Sequence, residues 1–102
     1  MSATAVTRGG TPWTPQYVEA INLLNQAIEK DKNFVEAYLR LGQTYFGMKQ
    51  TTLAIQTFEK GLSLASDLPR QKSFWYYLGE PYLLTGEYEK AMKVLSAFIN
   101  NE

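Results

Sequence analysis

The 102-residue sequence contains no cysteine and no histidine. Without cysteine the chain can form neither a disulfide nor a thiolate metal site, so the redox compartment stays open. Without histidine it lacks the commonest general base and metal ligand at neutral pH. It also contains no nucleophile–base pair, glycine-rich phosphate loop or metal-ligand spacing. We therefore expect no catalytic site, no metal and no cofactor.

The chain also has no excess of charge and no long apolar run. Ten Lys and Arg residues balance ten Asp and Glu residues, so the formal net charge is zero. Nucleic acids require a basic surface, which argues against them as partners. No run approaches the roughly 20 apolar residues that span a bilayer, and the first ten residues lack the apolar core of a secretory signal. These features predict a soluble protein and favour the cytoplasm.

What the sequence does contain is an eight-residue pattern that occurs twice, aromatic-x-x-Leu-Gly-x-x-Tyr. The first copy spans residues 38–45 and the second spans residues 75–82. The first copy is followed by Ala54 and Phe58, and the second by Ala91 and Leu95. An earlier half-copy retains only this following part, at Ala20, Leu24 and Ala27.

The repeated pattern predicts two closely packed helices. Residues three and four apart lie on one face of a helix, so each copy forms a continuous stripe. Gly42 has no side chain, which allows a second helix carrying Ala54 to approach closely. The large side chains Tyr38, Tyr45 and Phe58 would then fill the space on either side. Glycine within a helix costs about 1 kcal/mol relative to alanine, and its recurrence indicates that close approach outweighs this cost.

The two copies and the in-phase alanines resemble the tetratricopeptide repeat, a helix–turn–helix unit of about 34 residues. The resemblance covers residues 15 to about 100 and implies an all-α fold. Five helices would stack as antiparallel pairs into a short right-handed α-solenoid of two and a half repeats. We expect an extended or flexible arm at 1–13, a half repeat at 14–32, and repeats at 33–66 and 67–102. Gly42 and Gly79 are 37 residues apart, which places a three-residue insertion near residues 66–71.

Helix signals along the chain predict helices at about 15–30, 33–48, 51–64, 69–84 and 87–100. Thr14 is a candidate cap for the first, with Trp13 and Val18 forming a hydrophobic staple. Asn33 and Glu36 resemble a capping box at the start of the second.

Pro81 falls inside the predicted fourth helix. An interior proline lacks a backbone donor and clashes with the carbonyl four residues earlier, here that of Tyr77. We therefore expect a bend between these residues. The bend would either wrap the helix around its neighbour or free a carbonyl and re-aim the groove.

By the resemblance, the first helix of each repeat lines a concave groove. The implied groove positions are Glu36, Leu39, Gln43 and Phe46 in one repeat and Ser73, Tyr76, Glu80 and Leu83 in the next. Such a mixture of apolar and polar groups suits an extended or helical peptide segment. Partial burial against neighbouring helices is the alternative for Leu39, Phe46 and Leu83.

Residues 74–77 are four consecutive aromatic residues. Successive helix residues are about 100° apart, so these rings cannot all face the core. The repeat places Trp75 in the core stripe. Tyr76 falls on the groove side, where a ring makes a good binding anchor; ordinary packing or surface exposure is the alternative.

Some family members hold a peptide's terminal carboxylate with basic and asparagine side chains. The matching positions here carry Leu39, Gln43, Glu36 and Ser73, with Tyr77 where an arginine would stand. The resemblance therefore does not extend to this clamp. Arg40 lies nearby, and we interpret it as a solvated charge.

Two functions remain open from the sequence. One is a groove that binds a protein or peptide of unknown identity. The other is an assembly subunit that associates, with itself or with another chain, through the faces of its terminal helices. The first 12 residues lack the repeat pattern, which leaves apolar residues of the first helix uncovered unless the arm, another chain or a longer array covers them. The candidate terminal interface comprises Tyr17, Ile21, Leu24, Val94 and Phe98.

Overall fold

The computed structural model describes residues 15–101. Over this range the chain forms five α-helices and no strand: α1 (Pro15–Lys30), α2 (Val35–Gly47), α3 (Thr51–Leu64), α4 (Leu68–Leu84) and α5 (Tyr88–Asn100). The predicted all-α repeat fold is confirmed, and the helix bounds agree to within about two residues. The predicted arm at 1–13, the Thr14 cap and the staple at Trp13 lie outside the described residues.

The helices stack in chain order. Each helix packs against the next one, and α2 also contacts α4. This is the only contact between helices that are not consecutive within residues 15–101. It places the first helices of the two repeats side by side, so that their adjoining surfaces form one shared face.

The core lies along the seams between these helices. The in-phase alanines Ala54 and Ala91 and the repeated leucine Leu78 are each 0% exposed. Tyr38 and Tyr82, at opposite ends of the repeated pattern, are also buried. The predicted stripe therefore faces inward in both repeats, except at Trp75.

Phe74 occupies the core position that the sequence assigned to Trp75. Phe74 is 1% exposed, whereas Trp75 is half-buried. The Phe74 ring lies over Gly61 of α3 and meets the Phe58 ring edge-on, with ring centroids 6.4 Å apart. The assignment of Trp75 was wrong because the absence of a side chain at Gly61 opens space for the neighbouring ring.

The repeated glycines allow close approach, but their partners are large. Gly42 packs directly against the ring of Phe58, and a Cβ atom on Gly79 would lie 2.7 Å from Leu95 Cδ2. The sequence pattern suggested the small residue Ala54 opposite Gly42, whereas the atoms nearest to Gly42 belong to Phe58. Phe58 and Leu95 are themselves 37 residues apart, as the two glycines are. In both repeats, a large side chain at the same repeat position therefore fills the space beside the glycine.

The expected capping box at the start of α2 does not form. The helix begins at Val35 without a side-chain cap, and the Asn33 backbone amide donates instead to Asp31 Oδ1 at 3.0 Å. Glu36 pairs with Arg40 within the helix, with 3.2 Å between Oε2 and Nη2. The side chain of Glu36 therefore binds one turn forward rather than back to the helix start.

Helix α4 has clear signals at both ends. Asp67 accepts hydrogen bonds from the Arg70 backbone amide at 3.0 Å and from its guanidinium at 2.9 Å. These bonds favour the carboxylate and hold the pKa of Asp67 below its ordinary value. After the helix, Gly86 adopts a positive φ of 81°, a conformation that glycine accepts without a steric penalty.

Pro81 lies within the assigned range of α4 and is almost fully buried. The helix assignment continues on both sides of it, and Thr85 returns a backbone hydrogen bond to the Pro81 carbonyl at 3.1 Å. The bend expected near Tyr77 stays a prediction. Both interpretations of Pro81 stay open, a bend that wraps α4 around its neighbour and a freed carbonyl that re-aims the groove.

Candidate functional site

An open cleft of about 760 Å³ lies where α2 and α4 adjoin. Its walls come from the two first helices and its floor from α3 and α5. The lining residues are Arg40, Gln43, Phe46 and Gly47 of α2, Tyr76, Tyr77, Glu80, Pro81 and Leu83 of α4, Phe58 of α3 and Leu95 of α5. The volume falls within the range of about 300–1,000 Å³ that is usual for ligand pockets.

Five of the eight predicted groove residues line this cleft. They are Gln43, Phe46, Tyr76, Glu80 and Leu83. Successive members on one helix are three or four residues apart, which puts them on the face that the two first helices share. The structure therefore brings these five positions together.

The other three predicted groove residues lie elsewhere. Leu39 is 9% exposed and belongs to the buried cluster, because the α2 face that bears it is rotated toward the core. Glu36 lines a separate polar cleft near the start of α2. The Ser73 hydroxyl donates to the Pro69 carbonyl at 3.3 Å, which holds it against its own helix.

Several lining residues were missed from the sequence. Tyr77 lies three residues before Glu80, so helical spacing alone could have added it to the groove. Arg40 was interpreted as a solvated charge, yet it lines the cleft. Phe58 and Leu95 reach the cleft floor from the second helices, and only the fold reveals them.

The cleft is built around a chain of aromatic rings. The Tyr77 ring stacks on Phe58 at 6.1 Å and 22°, and Tyr76 meets Tyr77 edge-on at 5.2 Å. Tyr76 also contacts the Phe98 ring at 5.3 Å. The chain runs from the buried Phe58 to the surface, where Tyr76 is 55% exposed. Neighbouring rings thus hold an exposed aromatic surface in place.

Comparison with known proteins decides the family. A family model described as the tetratricopeptide repeat matches residues 16–74, which is more than half of the chain. The chain belongs to the tetratricopeptide repeat family. Proteins of this family generally mediate protein–protein interactions and are typically non-catalytic. None of the curated protein sequences compared with the chain gives a match.

The charges at the cleft of this tetratricopeptide repeat protein are few. Arg40 is engaged by Glu36, as described above. Glu80 is exposed and forms no salt bridge with any residue in the range 15–101. Lys72, two turns earlier on α4, places its ammonium 5.7 Å from the centre of the Phe98 ring. The cleft therefore offers one paired cation and one unpaired carboxylate.

Tyr82, whose pKa is clearly shifted, lies outside the set of residues that line the cleft. The Tyr82 hydroxyl donates to Glu59 Oε2 at 2.6 Å and links α4 to α3. Burial of the ring, with the adjacent Glu59 carboxylate, raises the pKa of Tyr82 far above its ordinary value. We interpret this bond as a structural link between the repeats. Within residues 15–101 no cluster of acidic side chains could hold a metal ion, and no helix is long and apolar enough to cross a membrane.

The terminal faces differ in detail from the expected interface. Tyr17, Ile21 and Leu24 of α1 are half-buried, and no α1 residue is fully buried. Val94 packs on the core cluster and Phe98 rests on Tyr76, so neither forms the outer surface of α5. The exposed large apolar side chains of α5 are Tyr88, Met92 and Ile99, and Leu84 at the end of α4 is also exposed. Helix α5 turns Val94 and Phe98 toward its neighbours, and their place in a terminal interface stays a prediction.

Proposed function

We propose that this protein is a non-catalytic binding module that holds a segment of another protein in the cleft between α2 and α4. The observation that carries the proposal is the exposed aromatic surface of Tyr76 and Tyr77 inside a preformed cleft. Surface rings held by their neighbours lose little conformational freedom on binding, and tyrosine is enriched among the residues that dominate interface energies.

The composition of the cleft suits a protein segment. Phe46 of α2 and Leu83 of α4 line the cleft with apolar side chains, and Phe58 and Leu95 at its floor are also apolar. Gln43 carries an amide that can both donate to and accept from a peptide backbone. An apolar surface with a few polar groups is the usual composition of a specific binding site.

The same residues disfavour a terminal carboxylate as the ligand. Recognition of a free carboxylate typically uses convergent basic groups or backbone amides. Arg40 is the only basic residue among those that line the cleft, and Glu36 already engages it. We therefore propose an internal segment of the partner rather than its C-terminus.

The cleft is tested with a variant that removes its two most exposed apolar side chains, Tyr76→Ala with Leu83→Ala. These side chains are 55% and 48% exposed, so the melting temperature should stay nearly unchanged. Peptides selected from a displayed random library against the intact chain should bind the double variant at least about tenfold more weakly, as expected for interface anchors. Anisotropy titrations measure this difference.

Tyr88→Ala is the matched control, since Tyr88 is 62% exposed and does not line the cleft. Its binding should equal that of the unaltered chain. If the selected peptides bind the double variant as well as they bind the unaltered chain, the cleft is not the binding site.

A second candidate function, self-association through α5, is favoured by a comparison of the two second helices. Ile55 of α3 is 6% exposed, whereas Met92, its counterpart 37 residues later, is 69% exposed. Likewise Leu62 is half-buried, but Ile99 is 61% exposed. On α5, apolar residues are therefore exposed at the positions that are packed against other helices on α3. Exposed apolar patches often mark interfaces.

Light scattering over a wide concentration range tests this second candidate. The chain should form dimers or larger species, and Met92→Lys with Ile99→Lys should return it to the monomer. Leu23→Lys, at a position 57% exposed on α1, is the control for added charge. A monomeric mass at every concentration would contradict self-association and leave the cleft proposal intact.

A further inference from the structure

Of the two charged residues that line the cleft, Arg40 and Glu80, only Arg40 has an ion-pair partner among residues 15–101. Arg40 is neutralised by Glu36, with 3.2 Å between the charged atoms. Glu80 has no cationic partner within residues 15–101. Lys72 is eight residues earlier on α4 and lies over Phe98 instead. An incoming segment therefore meets a carboxylate that no described side chain satisfies.

The surroundings of Glu80 are aromatic. Tyr76 and Tyr77 precede it by four and three residues, so both lie beside it on the helix surface. The two rings are 55% and 40% exposed. Aromatic faces attract cations, and a carboxylate accepts strong hydrogen bonds from guanidinium and ammonium groups. A cationic side chain is the group that could use both kinds of contact at once.

The repeat makes this charge specific to α4. The residue of α2 that corresponds to Glu80, 37 positions earlier, is Gln43. Both side chains line the cleft, but only one is charged. The two walls therefore differ, with a neutral amide on α2 and a carboxylate on α4. A bound segment would be oriented by this difference.

We propose that the segment held in the cleft carries an arginine or lysine that pairs with Glu80, beside an aliphatic or aromatic side chain that enters between Phe46 and Tyr76. This inference rests on the proposed function and names the chemistry of its ligand. The apolar side chain supplies contact area with the rings. The cation selects among apolar segments and excludes those with an acidic residue at that position.

Three pools of end-blocked, fluorescently labelled peptides test the proposal. Every peptide contains one leucine among randomised small residues. At the positions next to that leucine, the first pool carries arginine, the second glutamine and the third glutamate. The unaltered chain should bind the arginine pool about two- to fivefold more tightly than the glutamine pool, the range for an exposed ion pair. The glutamate pool should bind most weakly, and added salt should reduce the differences.

Glu80→Gln is the deciding variant, because it preserves the size of the side chain and removes its charge. It should bind the glutamine pool as the unaltered chain does and lose the preference for arginine. Glu89→Gln, which alters an exposed carboxylate on α5 outside the cleft, should retain that preference. Preference for arginine that persists in Glu80→Gln, or equal binding of all three pools, overturns the charge proposal alone. If no pool binds the unaltered chain while library-selected peptides do, the charge proposal fails and the cleft proposal stands.

Discussion

Replacing Phe74 with alanine should lower the free energy of unfolding by about 3–5 kcal/mol. Its ring is 1% exposed, lies over Gly61 and contacts Phe58 edge-on. Removing it would leave a cavity between α3 and α4, where the two repeats join. Total stability of a domain is about 5–15 kcal/mol, so the variant should unfold at a much lower urea concentration than the unaltered chain.

Trp75→Ala is the natural comparison, since it removes a larger side chain from the adjacent position. Trp75 is only half-buried, so its loss should cost clearly less than the loss of Phe74. Urea unfolding followed by far-UV circular dichroism measures both, without relying on the tryptophan signal that one variant lacks. A greater loss of unfolding free energy for Trp75→Ala than for Phe74→Ala would mean that α4 is rotated, with Trp75 facing the core.

Gly61→Ala, which adds a single methyl group, should destabilise the protein by about 1–3 kcal/mol, the usual cost of overpacking. A Cβ atom there would lie 2.5 Å from Phe74 Cζ and 2.8 Å from Tyr38 Cβ. The second atom is attached directly to the backbone, so it cannot swing away. Helix propensity alone would favour alanine by up to about 1 kcal/mol, so packing and propensity predict opposite signs. Gly42→Leu should cost a similar amount, because the Phe58 ring fills the space beside Gly42.

Gly47→Ala provides the matched control on an exposed stretch of α2. The nearest atom to its Cβ would be the Tyr17 hydroxyl oxygen at 2.9 Å, at the far end of a side chain that can move. This substitution should be neutral or stabilising by up to about 1 kcal/mol. Thermal and urea unfolding of the three variants measures the difference. Equal stabilisation by Gly61→Ala and Gly47→Ala would contradict the close packing of the repeats.

The sequence predicts the repeat seams well because their signal is local and occurs twice. The spacing of Tyr38, Leu41 and Gly42 places them on one helical face, and all three are buried. Ala54 and Ala91 were recognised as in-phase small residues, and both are fully buried. Such positions depend mainly on helix geometry, which the order of residues determines directly.

Helix rotation about its own axis is harder to predict. Phe74 and Trp75 differ by about 100° on α4, and either could have faced the core. The choice depends on Gly61, a residue of a different helix that opens room for one ring. The spacing of residues within one helix does not show where the neighbouring helix lacks a side chain and leaves room for a ring.

The cleft was predictable in part from the resemblance to the tetratricopeptide repeat. That resemblance implied groove positions at Gln43 and Phe46 on α2 and at Tyr76, Glu80 and Leu83 on α4, and all five line the cleft. The floor residues Phe58 and Leu95 come from second helices, so only the stacking reveals them. The pairing of Arg40 with Glu36 also replaced the expected capping box. The Glu36 carboxylate could bind either Arg40 or the backbone at the start of α2. The local sequence pattern does not determine which of the two it binds.

Chemical-shift mapping with a library-selected peptide and the isotope-labelled chain tests the binding cleft most directly. The cleft proposal predicts that the largest amide and side-chain shifts occur at Gln43, Phe46, Tyr76, Glu80 and Leu83. It also predicts that the peptide leaves the outer face of α5 unchanged. The contrary result would be shifts confined to Tyr88, Met92 and Ile99 with the cleft residues unperturbed.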